Sequence, residues 1–301
     1  MDDKNKIPKA YIALGLSIVA IGISPIFIKL AQAPGTISMF YRMVVAIVFM
    51  ALPFFHNVKS RSNGLSKKGI LFAILGGFFF ACDLVFYSTG VMLSGTAKIT
   101  LLSNTAPIWV GFGAMILFNE KINGWFWGGL ILALVGAIFV MGLDHFNLVG
   151  FDWGSTLGLI SSVFYGGYFL ITQRGRKLLD SIPYFWISSL SSAGFLLLVA
   201  LIFRMPLTGY PLATYLLFLA MGIVGQVIGF MLIGYALGHL PASVVSPTLL
   251  LQPVITALLS GVFLGETYSA WQIAGGAAVL AGVFIIQTKK VETISVPQPF
   301  L

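Results

Sequence analysis

One acidic residue stands far from either end of the apolar segment that contains it. Asp83 lies near the centre of Gly69–Leu93, where an ionised side chain within a bilayer costs about 2.5 to 3.5 kcal/mol on insertion scales. Three circumstances would offset that cost: a bound proton, a cationic group of a ligand, or a protein cation such as Lys98 or Arg42. The first two are functional and the third is structural. We favour a functional Asp83, because both basic residues lie nearer the ends of their segments.

Other polar side chains recur at helical spacing within apolar segments. Tyr87 lies one turn after Asp83, and Asn104 lies one turn after Thr100. An amide or a phenol inside a membrane needs a polar partner, so such residues are candidates for contact with a solute. Serines and threonines such as Ser161 are expected to bond within or between helices. The predicted solute-binding set is Asp83, Tyr87, Lys98, Asn104, Tyr165, Tyr168, Gln226 and Gln252.

Several prolines lie within apolar segments, and three of them are candidates for a functional role: Pro25, Pro107 and Pro253. Each removes one backbone donor and frees the carbonyl one turn earlier in the helix. Such a position can bend during a conformational change, coordinate a solute, or simply kink the helix for packing. We predict a hinge or gating role for all three, with plain packing as the alternative.

Signatures of catalysis are absent from the sequence. It contains neither a GxxxxGK[ST] phosphate loop nor an HExxH zinc motif. No second aspartate accompanies Asp83 deep in a segment, as a two-aspartate mechanism requires. The three histidines are scattered near segment ends, and Cys82 is the single cysteine. We therefore predict no catalytic residue, no metal site and no cofactor.

The composition explains which elements must position these residues. Of 301 residues 58% are hydrophobic and 9% are charged, against about 25% charged in a soluble domain. A helix needs about 20 apolar residues to cross a bilayer, and ten segments qualify. They are Tyr11–Ile28, Thr36–Phe55, Gly69–Leu93, Ile99–Phe118, Gly124–Leu143, Trp153–Gln173, Ile182–Phe203, Leu212–Leu237, Ala242–Gly265 and Tyr268–Gln287.

The basic residues indicate how these segments are oriented. The net charge is +8, but the positive residues form short clusters between apolar segments, which favours a membrane surface over nucleic acid as the partner. With the N-terminus inside, 13 of the 17 basic residues are cytoplasmic. They are Lys4, Lys6, Lys9, Lys59, Arg61, Lys67, Lys68, Lys121, Arg174, Arg176, Lys177, Lys289 and Lys290. We predict a multi-pass protein of the inner (plasma) membrane with both termini in the cytoplasm.

The two halves of the chain share the spacing of their rare residues. Sliding the sequence by 146 residues aligns three uncommon pairs and three glycine pairs. They are Pro107 with Pro253, Glu120 with Glu266, Trp125 with Trp271, Gly76 with Gly222, Gly129 with Gly275 and Gly136 with Gly282. Only three glutamates exist in the chain, so the matched pair carries weight. We predict two five-helix halves, 1–146 and 147–301, and because five is odd the second enters the membrane from the opposite side.

A family resemblance follows from the repeated segments. FNEKINGWFWGGLILALVGAIFV and LGETYSAWQIAGGAAVLAGVFII, together with TAKITLLSNTAPIWV before the first, resemble the ends of the two repeats in EamA-type members of the drug/metabolite transporter superfamily. The resemblance implies an all-α membrane fold of ten transmembrane helices, arranged as two inverted five-helix repeats around a central cavity, and frequently an export role. Lys98 departs from the small residue that the family resemblance leads us to expect.

These features together predict a secondary transporter that works by alternating access. We expect export of a small organic metabolite such as an amino acid, because Asp83 suits a cationic group while Lys98, Arg42 and Lys29 could attract a carboxylate. Coupling to protons through Asp83 is part of this hypothesis. The alternative is a membrane receptor or structural protein that does not transport, and an intramembrane enzyme is the less supported third class. The partners are a small solute and the lipid bilayer, and the chain is a monomer or a homodimer.

Overall fold

The protein is almost entirely helical. A computed structural model describes residues 6–59, 64–141, 152–264, 268–288 and 292–293. Its helices are α1 (Lys6–Ala31), α2 (Gly35–Lys59), α3 (Lys67–Ser94), α4 (Thr96–Ser103), α5 (Ala106–Phe118), α6 (Gly124–Met141), α7 (Trp153–Arg176), α8 (Ser181–Ile202), α9 (Leu212–Ala220), α10 (Met231–Leu237), α11 (Ala242–Thr248), α12 (Gln252–Leu264) and α13 (Ala270–Thr288). Residues 120–121 (β1) pair antiparallel with residues 292–293 (β2).

Several sequence predictions concern residues outside this description. They are Lys4, Arg61, Leu143, Gly265, Glu266, Lys289 and Lys290, together with the boundary between residues 146 and 147. The side chains of Pro25 and Lys29 also lie outside it, although both residues belong to α1.

Ten helical segments of the described chain are long and apolar enough to cross a membrane, which confirms the predicted spans. We number them one to ten in chain order. Seven are single helices, whereas the fourth (α4 and α5), the eighth and the ninth are interrupted. The eighth contains a π-helical segment, Met221–Phe230, between α9 and α10, and the ninth contains a 3-10 turn, Leu249–Leu251, between α11 and α12.

The distribution of side chains suits a lipid environment. Large apolar residues such as Leu52, Met92 and Ile116 are exposed on the outside of the bundle, where bilayer hydrocarbon can surround them. In contrast, the charged residues Arg42 and Asp83 are buried in the interior of the bundle. A protein with an apolar exterior and charged groups in its interior is stable in a bilayer and would expose too much apolar surface in water.

Contacts between spans follow a pattern that relates the two halves. The third span packs against the sixth and the eighth against the first, while the second packs against the seventh and the fifth against the tenth. If each span is replaced by its equivalent in the other half, five positions along, the contact of the third and sixth spans becomes that of the eighth and first. The other two contacts each become themselves. The packing therefore has approximate two-fold symmetry, as two related five-span halves require.

The fifth and tenth spans pack backbone against backbone through glycines. A Cβ atom on Gly129 would lie 2.8 Å from the Gly282 carbonyl oxygen, and one on Gly136 would lie 2.6 Å from that of Gly275. As residue numbers rise along α6 they fall along α13, so the two helices run antiparallel. In the sequence repeat Gly129 corresponds to Gly275, and Gly136 corresponds to Gly282. Gly129 therefore packs against the repeat equivalent of Gly136, and Gly136 packs against the repeat equivalent of Gly129. This antiparallel pairing supports the predicted opposite orientation of the halves.

The fourth and ninth spans are interrupted at the same point of the repeat. In the fourth, α4 ends at Ser103 and α5 begins at Ala106, with Pro107 in its first turn. In the ninth, the 3-10 turn ends at Leu251, immediately before the α12 residues Gln252 and Pro253. Pro107 has no N–H to offer the Ser103 carbonyl, which explains why the helix restarts there.

The glycine contact predicts a difference between two adjacent residues. Gly129→Ala forces a methyl group against the backbone of α13, so we expect a loss of about 1 to 3 kcal/mol in stability. Gly128→Ala is the matched control, because a Cβ there meets nothing within 4 Å and alanine favours a helix. The measurement is the thermal unfolding midpoint of detergent-purified protein. Equal midpoints for the two variants would contradict the close packing of α6 on α13.

Candidate functional site

A cavity of about 110 Å³ lies in the interior of the bundle, among residues of the first, second, third, fourth, sixth, eighth and ninth spans. Aromatic and aliphatic side chains, including Phe80 and Phe230, form part of its wall. Its polar lining comes mostly from the first half of the chain and comprises Arg42, Asp83, Tyr87, Thr100, Ser103 and Asn104. Tyr165 and Gln252 add polar groups from the second half.

Asp83 is the acidic group of this cavity. Its side chain is buried, and the Ser161 hydroxyl donates to Oδ1 at 2.5 Å. The Ser103 hydroxyl lies 3.2 Å from that of Ser161, so a short chain of hydroxyls links the third, sixth and fourth spans. Within the described chain no ion pair joins Asp83 to Arg42 or to Lys98. The carboxyl group therefore lines the cavity without an ion pair to any basic side chain that the structure describes.

The interruption of the fourth span supplies the neighbouring polar groups. The Tyr87 and Thr100 hydroxyls are 2.7 Å apart and join the third span to α4. Asn104 is the residue at which α4 ends, and its Nδ2 is buried with no hydrogen-bond partner among the described residues. A buried amide donor without a partner costs about 1 to 3 kcal/mol, so Asn104 is suited to receive a polar group that enters the cavity.

Five of the eight predicted binding residues therefore line one cavity: Asp83, Tyr87, Asn104, Tyr165 and Gln252. Two others lie one layer behind the wall. The Tyr168 ring stacks on Phe80 with centroids 4.8 Å apart, and the Gln226 Oε1 accepts a hydrogen bond of 2.9 Å from Nε of Arg42. Both are buried, and each contacts a side chain that does face the cavity. Direct contact of these two with a solute stays a prediction.

Lys98, the eighth predicted residue, takes part in a different contact. Its Nζ lies 3.1 Å from Oδ2 of Asp152, the residue that precedes α7. Asp152 also accepts hydrogen bonds from the Ser155 hydroxyl and the Ser155 N–H, both at 2.7 Å, and so caps the helix. The Ser155 hydroxyl, with the Ser155 N–H and Lys98, holds the pKa of Asp152 below its usual range. This cluster ties the start of the fourth span to the start of the sixth.

Arg42 and Ser161 are site residues that the sequence did not place in the binding set. Arg42 was considered as a counter-ion for Asp83, yet it lines the cavity without closing on that carboxyl group. Its occurrence within an apolar segment was the available signal. Ser161 was expected to bond within or between helices, and it does so by donating to Asp83.

The three prolines divide into two groups. Pro107 and Pro253 both follow interruptions of their spans, and Pro253 is next to Gln252, which lines the cavity. Pro25 lies within the continuous helix α1. Whether any of them bends during a functional cycle stays a prediction.

Comparisons with known proteins identify one family for this chain. The model of the EamA-like transporter family matches residues 8–142 and 152–288. The chain is 26% identical to the uncharacterised transporter YetK of Bacillus subtilis over 96% of this chain and 89% of that protein. It is 22% identical to the pseudopaline exporter CntI of Pseudomonas aeruginosa over 86% of this chain and 89% of that protein. A solved crystal structure at 15% identity superposes with a TM-score of 0.73, over 92% of this chain and 97% of that one, which shows the same fold.

The Asp152 cluster predicts a specific dependence of stability on pH. Since the folded pKa is depressed, the stabilisation is complete above the ordinary aspartate value of about 3.9 and is lost as pH falls below it. Asp152→Asn keeps a capping oxygen but does not titrate. The difference in thermal unfolding midpoint between the wild type and this variant should be constant from about pH 7 to pH 5 and shrink below about pH 4. A difference that persists unchanged in acid would show that the Asp152 charge does not contribute.

Proposed function

We propose that this chain, which belongs to the EamA-like transporter family, exports a small organic metabolite such as an amino acid by alternating access. Membership of that family and the transporter names of its relatives identify a multi-pass membrane transporter, not an enzyme. The direction and the solute are our inference. One relative is named an exporter of pseudopaline, and that name describes the relative alone.

The observation that carries the proposal is an interior cavity that contains both a carboxyl group and a guanidinium group. Asp83 and Arg42 line the same space and form no ion pair with each other in the described part of the chain. Charged groups inside a membrane protein are costly and mark solute or ion pathways. An amino acid brings an ammonium for Asp83 and a carboxylate for a basic group, so both charges would be matched by one solute.

The arrangement of spans supports alternating access as the mechanism. The cavity receives residues from both halves of the chain, and the contacts between the halves have approximate two-fold symmetry. Two related halves of opposite orientation can exchange conformations and so open a central site to one side and then the other. Interrupted spans at the cavity, the fourth and the ninth, are suitable places for that movement, with Pro107 and Pro253 as hinges.

Energy for export would come from a gradient, since the sequence contains no phosphate loop. Asp83 is the acidic group placed to couple the solute to protons. Its Oδ1 accepts from Ser161, while the rest of the carboxyl group can exchange a proton for the ammonium of a solute. Binding of one would then displace the other, which is the requirement for exchange of solute against protons.

The predicted setting completes the proposal. The positive-inside asymmetry of the sequence puts both termini in the cytoplasm and the start of α7 on the outer side of the plasma membrane. One chain contains both five-span halves, so a monomer suffices for the cycle, and a homodimer would contain two independent cavities.

The first experiment separates a transporter from a receptor. Proteoliposomes loaded with one unlabelled amino acid should take up the labelled form of that amino acid from outside. A carrier exchanges the two forms because its binding site carries solute in both directions across the membrane. A protein that only binds would retain label in proportion to its own amount. Failure of exchange across the twenty standard amino acids would remove amino acids as the solute.

A second experiment tests the role of Asp83. Asp83→Asn cannot exchange a proton, so we expect solute accumulation driven by a pH gradient to fall at least about tenfold while the protein stays folded. Asp180→Asn makes the same change at an exposed carboxyl before α8 and should leave accumulation unchanged. Normal gradient-driven accumulation by Asp83→Asn would end the proton-coupling proposal. If Asp83→Asn still exchanges solute but no longer accumulates it, Asp83 couples transport to protons. If the variant neither exchanges nor accumulates solute, Asp83 also binds the amino group of the solute.

A further inference from the structure

We infer that Arg42 is the anion-binding group of the cavity and that it recognises the carboxylate of an amino-carboxylate solute. The inference rests on the proposed transport function for the movement of that solute, but the binding site itself can be tested separately. Two independent features point to it: a buried guanidinium nitrogen without a partner among the described residues, and a π-helical segment that holds the other side of the same group.

The residues that the structure describes provide only some of the hydrogen-bond acceptors that the Arg42 guanidinium can use. The residue is 5% exposed. Its Nε donates to Gln226 at 2.9 Å, and its Nη1 lies 3.7 Å from the Met39 sulfur, a weak acceptor. Its Nη2 is buried and has no hydrogen-bond partner among the described residues. Because Arg42 lines the cavity, an anion that enters would find this donor available.

A purely structural pairing of Arg42 with Asp83 does not account for these contacts. A buried pair repays its desolvation when the two groups meet with good geometry, yet the described chain has no ion pair between them. The Asp83 carboxyl accepts instead from Ser161. An uncompensated buried charge costs several kcal/mol, and an anionic solute group bound at Nη2 offsets that cost.

The eighth span holds the guanidinium in place. Gln226 and Phe230 both belong to the π-helical segment Met221–Phe230, about one turn apart. Gln226 accepts from Nε, and the Phe230 ring lies 4.8 Å from Cζ of Arg42 in a cation–π contact. A Cβ on Gly222 of the same segment would lie 3.2 Å from the Arg42 carbonyl oxygen, so the segment packs closely on the second span. π-helical turns are rare and occur frequently at functional sites. Gln226 is accordingly a positioning residue that acts through Arg42.

The chemistry of the cavity selects among possible anions. A guanidinium suits carboxylate and phosphate oxygens alike. Asp83 shares the cavity, so a phosphate dianion would add two negative charges to a space that already contains a carboxyl group. A solute with one carboxylate and one ammonium matches Arg42 and Asp83 together. The volume of about 110 Å³ is below the roughly 300 Å³ at which pockets for drug-sized ligands begin, and this favours a solute of amino-acid size.

The test uses compounds that differ only in their charged groups. For a leucine side chain these are L-leucine, L-leucinamide and 4-methylpentanoate; for a phenylalanine side chain they are L-phenylalanine, L-phenylalaninamide and 3-phenylpropanoate. Apparent affinities come from the concentration dependence of the thermal shift of detergent-purified full-length protein. Arg42→Gln should weaken binding of carboxylate-bearing compounds at least about tenfold and change binding of the two amides less than about twofold. Arg204→Gln, the same change at an exposed arginine, should affect neither class.

Two further variants keep the test informative if Arg42→Gln does not fold. Arg42→Lys retains the charge but loses the planar fork, and Gln226→Leu leaves Arg42 in place without its Nε acceptor. Both should weaken carboxylate binding by less than Arg42→Gln and leave amide binding unchanged. The inference fails if no carboxylate-bearing compound stabilises the wild type, or if the Arg42 variants bind these compounds as the wild type does.

The outcome also separates this inference from the proposed transport function. Carboxylate binding that depends on Arg42, together with no exchange of leucine or phenylalanine in proteoliposomes, would support the anion site and contradict amino-acid transport. Exchange of these amino acids at the wild-type rate by Arg42→Gln would support transport and overturn the role of Arg42.

Discussion

The cost of placing charge inside a bilayer constrains this structure more than any other interaction. A carboxyl group and a guanidinium group are both buried in the bundle, each near 5% exposure, and lipid could not solvate either of them. The bundle reduces this cost by placing both groups in the wall of one internal cavity. Each group also has a hydrogen bond within the protein: Asp83 accepts from Ser161, and Arg42 donates to Gln226. Nη2 of Arg42 has no partner among the described residues, and both side chains line the cavity, so the proposed solute is one with complementary charges.

Close helix packing makes such an enclosure possible. The glycines of the fifth and tenth spans bring two backbones together, and the chain of hydroxyls from Asp83 joins the third, sixth and fourth spans. Lipid offers no hydrophobic force between helices, so these contacts depend on shape and on hydrogen bonds. Because the packing has approximate two-fold symmetry, a contact such as that of the third and sixth spans has an equivalent, that of the eighth and first.

Much of this architecture could be predicted from the sequence because it depends on composition and periodicity. Ten apolar segments predict ten spans, and the matched Pro, Glu and Trp residues predicted the relation between Pro107 and Pro253 that the two interrupted spans display. Asp83 was identifiable because an acidic residue at the centre of an apolar segment has few explanations. Arg42 was named among the basic residues that could attract a carboxylate, but it was left out of the binding set because its position in the segment suggested the outer half of the membrane. The contact of Lys98 with Asp152 joins residues 54 positions apart, and the π-helical segment leaves no periodic signal, so neither could be read from the sequence.

The central claim is that the cavity beside Asp83 opens to the two sides of the membrane in turn. Its most direct test is the accessibility of a single cysteine at Asn104, introduced into a chain whose only cysteine, Cys82, has been replaced by serine. A membrane-impermeant thiol reagent should modify Asn104→Cys from either side of oriented membranes, and a saturating solute should change the ratio of the two rates. A cysteine at the outward-facing Ile116 should resist the reagent from both sides. Modification of Asn104→Cys from one side only, under every solute condition, would contradict alternating access.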